Sequence, residues 1–296
     1  MVDARRGGHP TPMSDTKSTM KLVEYLDDDN DLSKKGIDKL TGYVAEAKGL
    51  VDQMRCEEMI SFATSAVRDA RNSDHVLDHV EKKTGIRLEI LSGEDEARLT
   101  FLAVRRWYGW SAGRIVNLDI GGGSLELTSG TDEDPDAAYS LLLGAGRLTH
   151  EWFDTDPPER KKIDLLRDYI DAELVEPARH LRTLGEPDLA VATSKTFHTL
   201  ARLTGAAPSS AGPRVKRTLT APGLRQLIAF ISRMTAADRA ELEGVSSNRS
   251  HQIVAGALVA EASMRALGLE QVEICPWALR EGVILRRLDG NLYGKG

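Results

Sequence analysis

The stretch Asn117–Glu126 reads Asn-Leu-Asp-Ile-Gly-Gly-Gly-Ser-Leu-Glu, a pattern that predicts two strands joined by a glycine turn. Apolar residues at 115, 116 and 118 indicate a buried strand that ends near Asp119, and apolar alternation resumes at 125 and 127. The glycines at 121–123 carry no Cβ, so the backbone there can reach positive φ and direct its N–H groups at one anion. We therefore expect a phosphate-binding loop between the two strands.

Two carboxylates flank this loop. Asp119 and Glu126 would repel a bare phosphate, so their presence favours a divalent cation, Mg²⁺, that bridges them to the phosphate oxygens. A glycine-rich hairpin with a solvated aspartate is the plainer alternative for the three glycines alone. The two acids and Ser124 favour the phosphate site.

The composition limits the class of protein. A chain of 296 residues, 41% hydrophobic and 28% charged, predicts two globular domains with a cleft. The net charge of -6 argues against general nucleic-acid binding, so a polyanion would need a local basic pocket. Neither a signal peptide nor an apolar run of about 18 residues is present, so no membrane association is expected. Cys56 and Cys275 lack metal-binding spacing, which predicts a cytoplasmic protein without zinc.

Helices and short strands alternate along the chain. Residues 18–25 predict a strand, and Ser33 caps a helix that is followed by an apolar strand at 59–63. A second helix ends at Gly85, a strand occupies 86–91, and a third helix starts at Ser92-Gly93. Residues 111–113, Ser-Ala-Gly, are the expected hinge between two lobes.

The second half repeats the order of the first. Ala63-Thr64-Ser65 and Ala192-Thr193-Ser194 each end a short apolar strand, follow a long helix and precede another helix. The chain thus reads as one αβα plan used twice. The first copy lacks the opening hairpin, with only residues 1–4 in its place, so either the repeat diverged or the first lobe is N-terminally truncated.

Four stretches together resemble the exopolyphosphatase/guanosine pentaphosphate phosphohydrolase (Ppx/GppA) family. Their agreement in sequence and in order makes the resemblance specific, and it spans about residues 18 to 288. The four stretches are Phe62–Asn72, Ser92–Arg98, Asp119–Glu126 and Leu279–Gly282.

The resemblance implies an α/β fold of two duplicated lobes, of the actin, sugar-kinase and heat-shock chaperone type with a ribonuclease-H-like core. The expected N-terminal lobe comprises residues 1–112 plus 279–296, and the C-terminal lobe comprises residues 113–278. Phosphate would lie in the cleft between them. The sequence leaves the oligomeric state open, with a homodimer as one option.

The resemblance also assigns roles to individual residues. Glu96 falls on the catalytic carboxylate that activates or orients water, and Asp119 and Glu126 fall on the metal-associated acids. The expected phosphate-binding residues are Gly121, Gly122, Gly123, Ser124, Arg68 and Lys195. Lys195 is inferred from its position and not from the resemblance, since a cation at a helix N-terminus is unfavourable unless an anion binds there.

The expected reaction is Mg²⁺-assisted release of terminal phosphate from inorganic polyphosphate, a phosphoanhydride hydrolysis. Guanosine pentaphosphate is the alternative substrate. Because family members open with an Asp-x-Gly-Ser-Asn type loop that does not occur before residue 4 here, a non-catalytic phosphate-binding protein is the contrasting hypothesis. A kinase of the same superfamily is the third.

Overall fold

The computed structural model describes the chain except residues 6, 7, 9, 15, 17–19, 21, 28 and 291–296. It divides into two compact units, Met1–Ser92 with Arg286–Gly296, and Gly93–Leu285. The helix that begins at Gly93 therefore groups with the second unit, whereas the sequence-based division placed it in the first lobe.

The first unit is built mainly of helices. Its core lies between α1 and α3, and Ser33 caps α1 by accepting a hydrogen bond from Gly36 N at 3.4 Å. Strands β3 and β4 pair in parallel, and β1 and β2 pair antiparallel. Its elements are β1 (Val2–Asp3), β2 (Thr11–Pro12), α1 (Lys34–Gln53), β3 (Phe62–Ala63), α2 (Ser65–Arg68), α3 (Ser73–Thr84) and β4 (Glu89–Ile90).

The strand expected at residues 18–25 is wrong for its last part. Leu22–Tyr25 form a 3-10 helix, while residues 18, 19 and 21 lie outside the described part of the chain. Leu22, Tyr25 and Leu26 all pack on the core of the first unit. This spacing of three to four residues suits a helical turn, and it outweighs the weak alternation that suggested a strand.

The second unit is a mixed six-stranded sheet between helices. The strand order is β7-β6-β5-β8-β10-β9, with β5, β8 and β10 parallel and the other neighbours antiparallel. Its elements are α4 (Gly93–Tyr108), β5 (Ile115–Ile120), β6 (Leu125–Gly130), β7 (Ala137–Leu141), α5 (Ala145–Trp152), α6 (Arg160–Thr183), β8 (Leu189–Thr193), α7 (Ser194–Leu203), β9 (Thr218–Thr220), α8 (Ala221–Ile231), α9 (Ala236–Ala240), α10 (Ile253–Ala266), β10 (Gln271–Ile274) and α11 (Leu279–Leu288), whose last residues group with the first unit.

Alternation along β5 separates the two faces of this sheet. Val116, Leu118 and Ile120 are buried in the large core under α6 and α10. Ile115 belongs to a second cluster with apolar residues of α4. Because successive side chains point to opposite faces, Asn117 and Asp119 share the α4 face with Ile115. The sheet therefore presents polar side chains to α4.

The helical motif at 279–282 has a structural explanation. Glu281 accepts a hydrogen bond from Ala278 N at 2.9 Å, which caps the start of α11. A Cβ at Gly282 would lie 1.8 Å from Leu99 O, so only glycine allows α11 to approach α4 this closely. These residues support the second unit and position α4.

The expected hinge at residues 111–113 is held in place. Arg105 is fully buried, and its guanidinium donates hydrogen bonds to Gly113 O at 2.8 Å, Gly130 O at 2.9 Å and Gly109 O at 3.2 Å. A buried cation that satisfies several carbonyls at once fixes the backbone around it. The segment is thus a rigid connection inside the second unit.

Candidate active site

Two acidic residues stand opposite each other on neighbouring strands. Asp119 of β5 pairs with Glu126 of β6 in the antiparallel register, and Asp119 pairs with Thr193 at the end of β8 in the parallel register. Directly opposed side chains in a sheet lie about 4.5–5.5 Å apart at Cβ. The site therefore lies where β5 and β8 end, the edge at which ligands bind in open α/β sheets.

Asp119 is bound by a hydroxyl from the neighbouring strand. Thr193 Oγ1 lies 2.5 Å from Asp119 Oδ2 and donates to it. The pKa of Asp119 is raised to about 7, mainly by burial. The Thr193 hydrogen bond opposes this rise, and the charge of Glu96 adds to it. Near neutral pH this carboxyl is therefore poised between its two protonation states.

Glu126 is almost completely enclosed, with 2% of its surface exposed. Ser140 Oγ donates a hydrogen bond to Glu126 Oε1 at 3.0 Å. Burial raises the pKa of Glu126 well above its usual value, the charges of Glu96 and Asp119 raise it further, and the hydroxyls of Ser124 and Ser140 oppose that rise. The buried site thus disfavours two charged carboxylates side by side, so that a proton or a cation is favoured there.

Glu96 completes an acidic cluster in the second unit. It lies in the first turn of α4, is partly exposed, and is close enough to Asp119 and Glu126 to raise the pKa of each. Like charges at one site favour binding of a proton or a metal ion. The structure thus brings together the three acids singled out in the sequence.

The glycine loop folds against the start of α5. Gly121 N donates to Ser124 O at 2.9 Å, and the carbonyls of Gly121 and Gly122 accept from Ala145 N and Arg147 N at 3.0 and 2.9 Å. A Cβ at Gly144 would lie 2.2 Å from the carbonyl carbon of Gly123. The contact between this loop and α5 therefore requires glycine at 144.

The expectation of positive φ in this loop is wrong. Among the described residues, none of the glycines at 121–123 has a positive φ. A Cβ at Gly122 would meet no atom within 4 Å, so the protein's own packing does not require glycine there. Within the described part of the chain, the N–H groups of Gly122 and Gly123 donate to no acceptor. Open space and free donors fit an anion that approaches the backbone.

Basic residues occur around this edge. Arg147 Nε donates to Gly123 O at 3.1 Å, so its guanidinium supports the glycine loop. Lys195 is exposed in the first turn of α7, two residues after Thr193. Ser194 between them has a φ of 74°, and its buried hydroxyl has no partner among the described residues. A non-glycine residue in this strained conformation is typical of functional sites.

Arg68 belongs to the first unit and is described within it. Its Nε donates to Asp69 Oδ1 at 3.0 Å, and its Nη1 donates to Leu91 O at 3.2 Å. These bonds place the guanidinium at the carboxyl end of the β3–β4 pair.

The sequence reasoning missed Thr193 and Ser140 as carboxylate partners. The first bond joins strands that are far apart in sequence and the second joins the consecutive strands β6 and β7, but both follow from the register: Asp119 opposes Thr193, and Glu126 opposes Ser140. The Thr-Ser pair that ends β8 was the available signal.

The acids fit a cation that also binds phosphate oxygens. Among the described residues, no group of three or more His, Cys, Asp or Glu side chains has the geometry of a complete metal site. Mg²⁺ commonly takes only one or two carboxylates and completes its coordination with water and substrate phosphate. Asp119 and Glu126 supply such a donor pair.

No helix in the described part of the chain is long and apolar enough to cross a membrane.

Comparisons with known proteins give consistent results. The model of the Ppx/GppA phosphatase family matches residues 1–291. Exopolyphosphatase 1 of Mycobacterium tuberculosis is 67% identical over 99% of this chain and 86% of its own length. A guanosine-5'-triphosphate,3'-diphosphate pyrophosphatase of Aeromonas hydrophila is 25% identical over 93% of this chain and 54% of its own length. The crystal structure of an exopolyphosphatase from Cytophaga hutchinsonii has a TM-score of 0.86 at 23% identity, covering 95% of this chain and 91% of that one, which confirms the α/β fold class.

Proposed function

Because this chain belongs to the Ppx/GppA phosphatase family, we propose that it is an exopolyphosphatase that releases the terminal phosphate of inorganic polyphosphate. The observation that carries the proposal is the position of Glu96, Asp119 and Glu126 together at the edge that bears the glycine loop. Phosphoryl transfer needs positioning and charge neutralisation more than a covalent intermediate.

The glycine loop binds the terminal phosphate in this proposal. The N–H groups of Gly122 and Gly123 donate hydrogen bonds to the phosphate, and the open space at Gly122 leaves room for its oxygens. Gly121 and Ser124 close the turn, and Lys195 adds a positive charge at the start of α7. Arg68 keeps its proposed role as a further phosphate-binding residue.

Asp119 and Glu126 hold the divalent cation, which we propose to be Mg²⁺. Its chemistry is to neutralise the phosphate charge. Thr193 and Ser140 keep the two carboxylates oriented through their hydroxyl groups. A hydrogen bond from a neighbouring hydroxyl fixes the rotamer of each carboxylate before substrate arrives.

Glu96 accepts the proton of the attacking water. Its carboxylate lies near Asp119 and Glu126, close enough for its charge to raise the pKa of both. The first turn of α4 fixes its position, and the contact of Gly282 with Leu99 holds that helix. The oxygen of the water then bonds to phosphorus as the bond to the bridging oxygen breaks, and the shortened chain leaves.

Phosphate release from matched substrates tests this function. We expect rapid, divalent-cation-dependent release from polyphosphate, with slower release from guanosine pentaphosphate and none from ATP. The relatives favour this order, since the identity is 67% to the exopolyphosphatase and 25% to the guanosine-nucleotide enzyme. Preference for guanosine pentaphosphate would replace polyphosphate as the substrate. Phosphate binding without turnover would contradict the enzyme assignment.

Two broader expectations remain part of the proposal. We propose a cytoplasmic protein, which cell fractionation tests, and a homodimer, which light scattering of the purified protein tests. The two-lobe division at residues 1–112 plus 279–296 and 113–278 is likewise a proposal, and limited proteolysis locates the boundary.

A further inference from the structure

Asn117 and Thr128 face each other across β5 and β6 in the second unit. Each is 1% exposed. Among the described residues, neither Asn117 Oδ1 nor Nδ2 has a hydrogen-bond partner, and Thr128 Oγ1 has none either. A buried amide and a buried hydroxyl thus lie side by side with three unsatisfied polar atoms.

Leaving these polar atoms without hydrogen bonds would destabilise the folded protein. A buried polar group without a hydrogen bond destabilises the folded state, and an amide has both donors and acceptors to satisfy. Native proteins satisfy such groups with ordered water, which typically makes about three hydrogen bonds. Opposed Cβ atoms about 5 Å apart allow one water to bond to both side chains.

The pair continues the row of acids on the same face of the sheet. Asn117 precedes Asp119 by two residues on β5, and Thr128 follows Glu126 by two residues on β6. Two residues along a strand are about 6.6–6.8 Å apart at their backbones. Side chains on the same face can lean toward each other, which brings their polar atoms within the shorter reach of one bridging water. Helix α4 packs over this face, and its buried Thr100 lies one turn after Glu96.

Two other buried hydroxyls also have no hydrogen-bond partner among the described residues, and they serve as a comparison. Ser263 lies within α10, and Ser73 lies at the start of α3 in the first unit. Each is a single hydroxyl away from the acids. The Asn117–Thr128 pair differs because two orphan side chains face each other and adjoin both proposed cation ligands.

We propose that Asn117 and Thr128 bind an ordered water that hydrogen-bonds onward to the carboxylates of Asp119 and Glu126. Both are positioning residues: they act on the reaction through the orientation of the acids and do not touch substrate. Their kinetic role rests on the proposed phosphatase function, whereas the water site itself does not.

A high-resolution crystal structure of the unaltered protein tests the water site directly. We expect an ordered water within hydrogen-bond distance of the Asn117 amide and Thr128 Oγ1. A dry gap, or direct bonding of the two side chains to each other, would overturn the proposal. This result is independent of whether the protein hydrolyses polyphosphate.

Kinetics of three variants test the positioning role. Thr128→Val removes the hydroxyl at nearly constant volume. We expect kcat on polyphosphate to fall about tenfold with KM little changed, the effect typical of losing a group that orients a metal-binding carboxylate. Thr128→Ser should restore kcat, and Ser263→Ala should match the unaltered protein. Equal kcat in Thr128→Val and Ser263→Ala would overturn the role. If the unaltered protein releases no phosphate, the proposed function fails and the crystallographic result alone decides the water site.

Discussion

Thr193 Oγ1 donates a hydrogen bond to Asp119 Oδ2 across 2.5 Å, joining the ends of two parallel strands at the proposed cation site. The bond stabilises the charged form of Asp119 and so opposes burial, the main cause that raises the pKa of this carboxyl to about 7. The hydroxyl thus helps to keep this carboxylate available to a cation near neutral pH.

Thr193→Val should reduce activity at neutral pH. Loss of the donor raises the pKa of Asp119 further, so the acid limb of the pH–rate profile should move upward by about one pH unit, equivalent to about 1.4 kcal/mol. Thr193→Ser should keep the original profile. Thr196→Val removes a hydroxyl that donates to Ile120 O at 3.0 Å and touches no carboxylate, so it is the matched control. An unshifted limb in Thr193→Val would show that the bond does not set the charge of Asp119.

Asp119→Asn should change how stability depends on pH in divalent-free buffer. The folded-state pKa of about 7 exceeds the ordinary value of 3.8, so folding favours the protonated acid. This contribution to the free energy of unfolding is fully present below pH 3.8. It decreases by about 1.4 kcal/mol per pH unit between pH 3.8 and pH 7 and is lost above pH 7. The variant should therefore equal the unaltered protein near pH 4 and exceed its stability at pH 8.

Urea unfolding at both pH values measures this difference. The same variant should bind Mg²⁺ more weakly and lose activity, because the neutral amide cannot replace the charge of the carboxylate. Parallel stability profiles of the two proteins would contradict the buried position of Asp119.

Gly122→Ala and Gly144→Ala should affect phosphate binding and stability differently. A Cβ at Gly122 meets open space, so the fold should keep its melting temperature while phosphate affinity falls. A Cβ at Gly144 collides with Gly123 and Ser124, so both stability and activity should fall. Gly42→Ala, in α1 with nothing within 4 Å, is the control and should be at least as stable as the unaltered chain. Thermal unfolding with phosphate titration separates these outcomes.

The sequence predicted the elements of the second unit well because their periodicities are strong. The alternation around the glycine turn predicts β5 and β6, which the structure has at Ile115–Ile120 and Leu125–Gly130. Two elements without a strong pattern, β9 at Thr218–Thr220 and α9 at Ala236–Ala240, were missed. Three- and five-residue elements are held by their neighbours more than by their own sequence.

The site was only partly predictable. Glu96, Asp119 and Glu126 stood out because of their motifs, but the bonds that orient them depend on strand register. Thr193 lies opposite Asp119, and Ser140 opposite Glu126, only after the sheet has formed. The conformation of the glycine loop also depends on α5, whose start contacts the loop carbonyls.

The most direct test of the account is the turnover of Glu96→Gln on polyphosphate. Glu94→Gln is the matched control, because Glu94 lies in the same turn of α4 but is exposed and bonded to Arg98 at 2.7 Å. We expect Glu96→Gln to bind phosphate normally and to lose about 10²- to 10⁴-fold in kcat, the usual effect of removing a general base, while Glu94→Gln stays near the unaltered rate. Unchanged turnover in Glu96→Gln, or an equal loss in both variants, would contradict the assignment of Glu96 as the base.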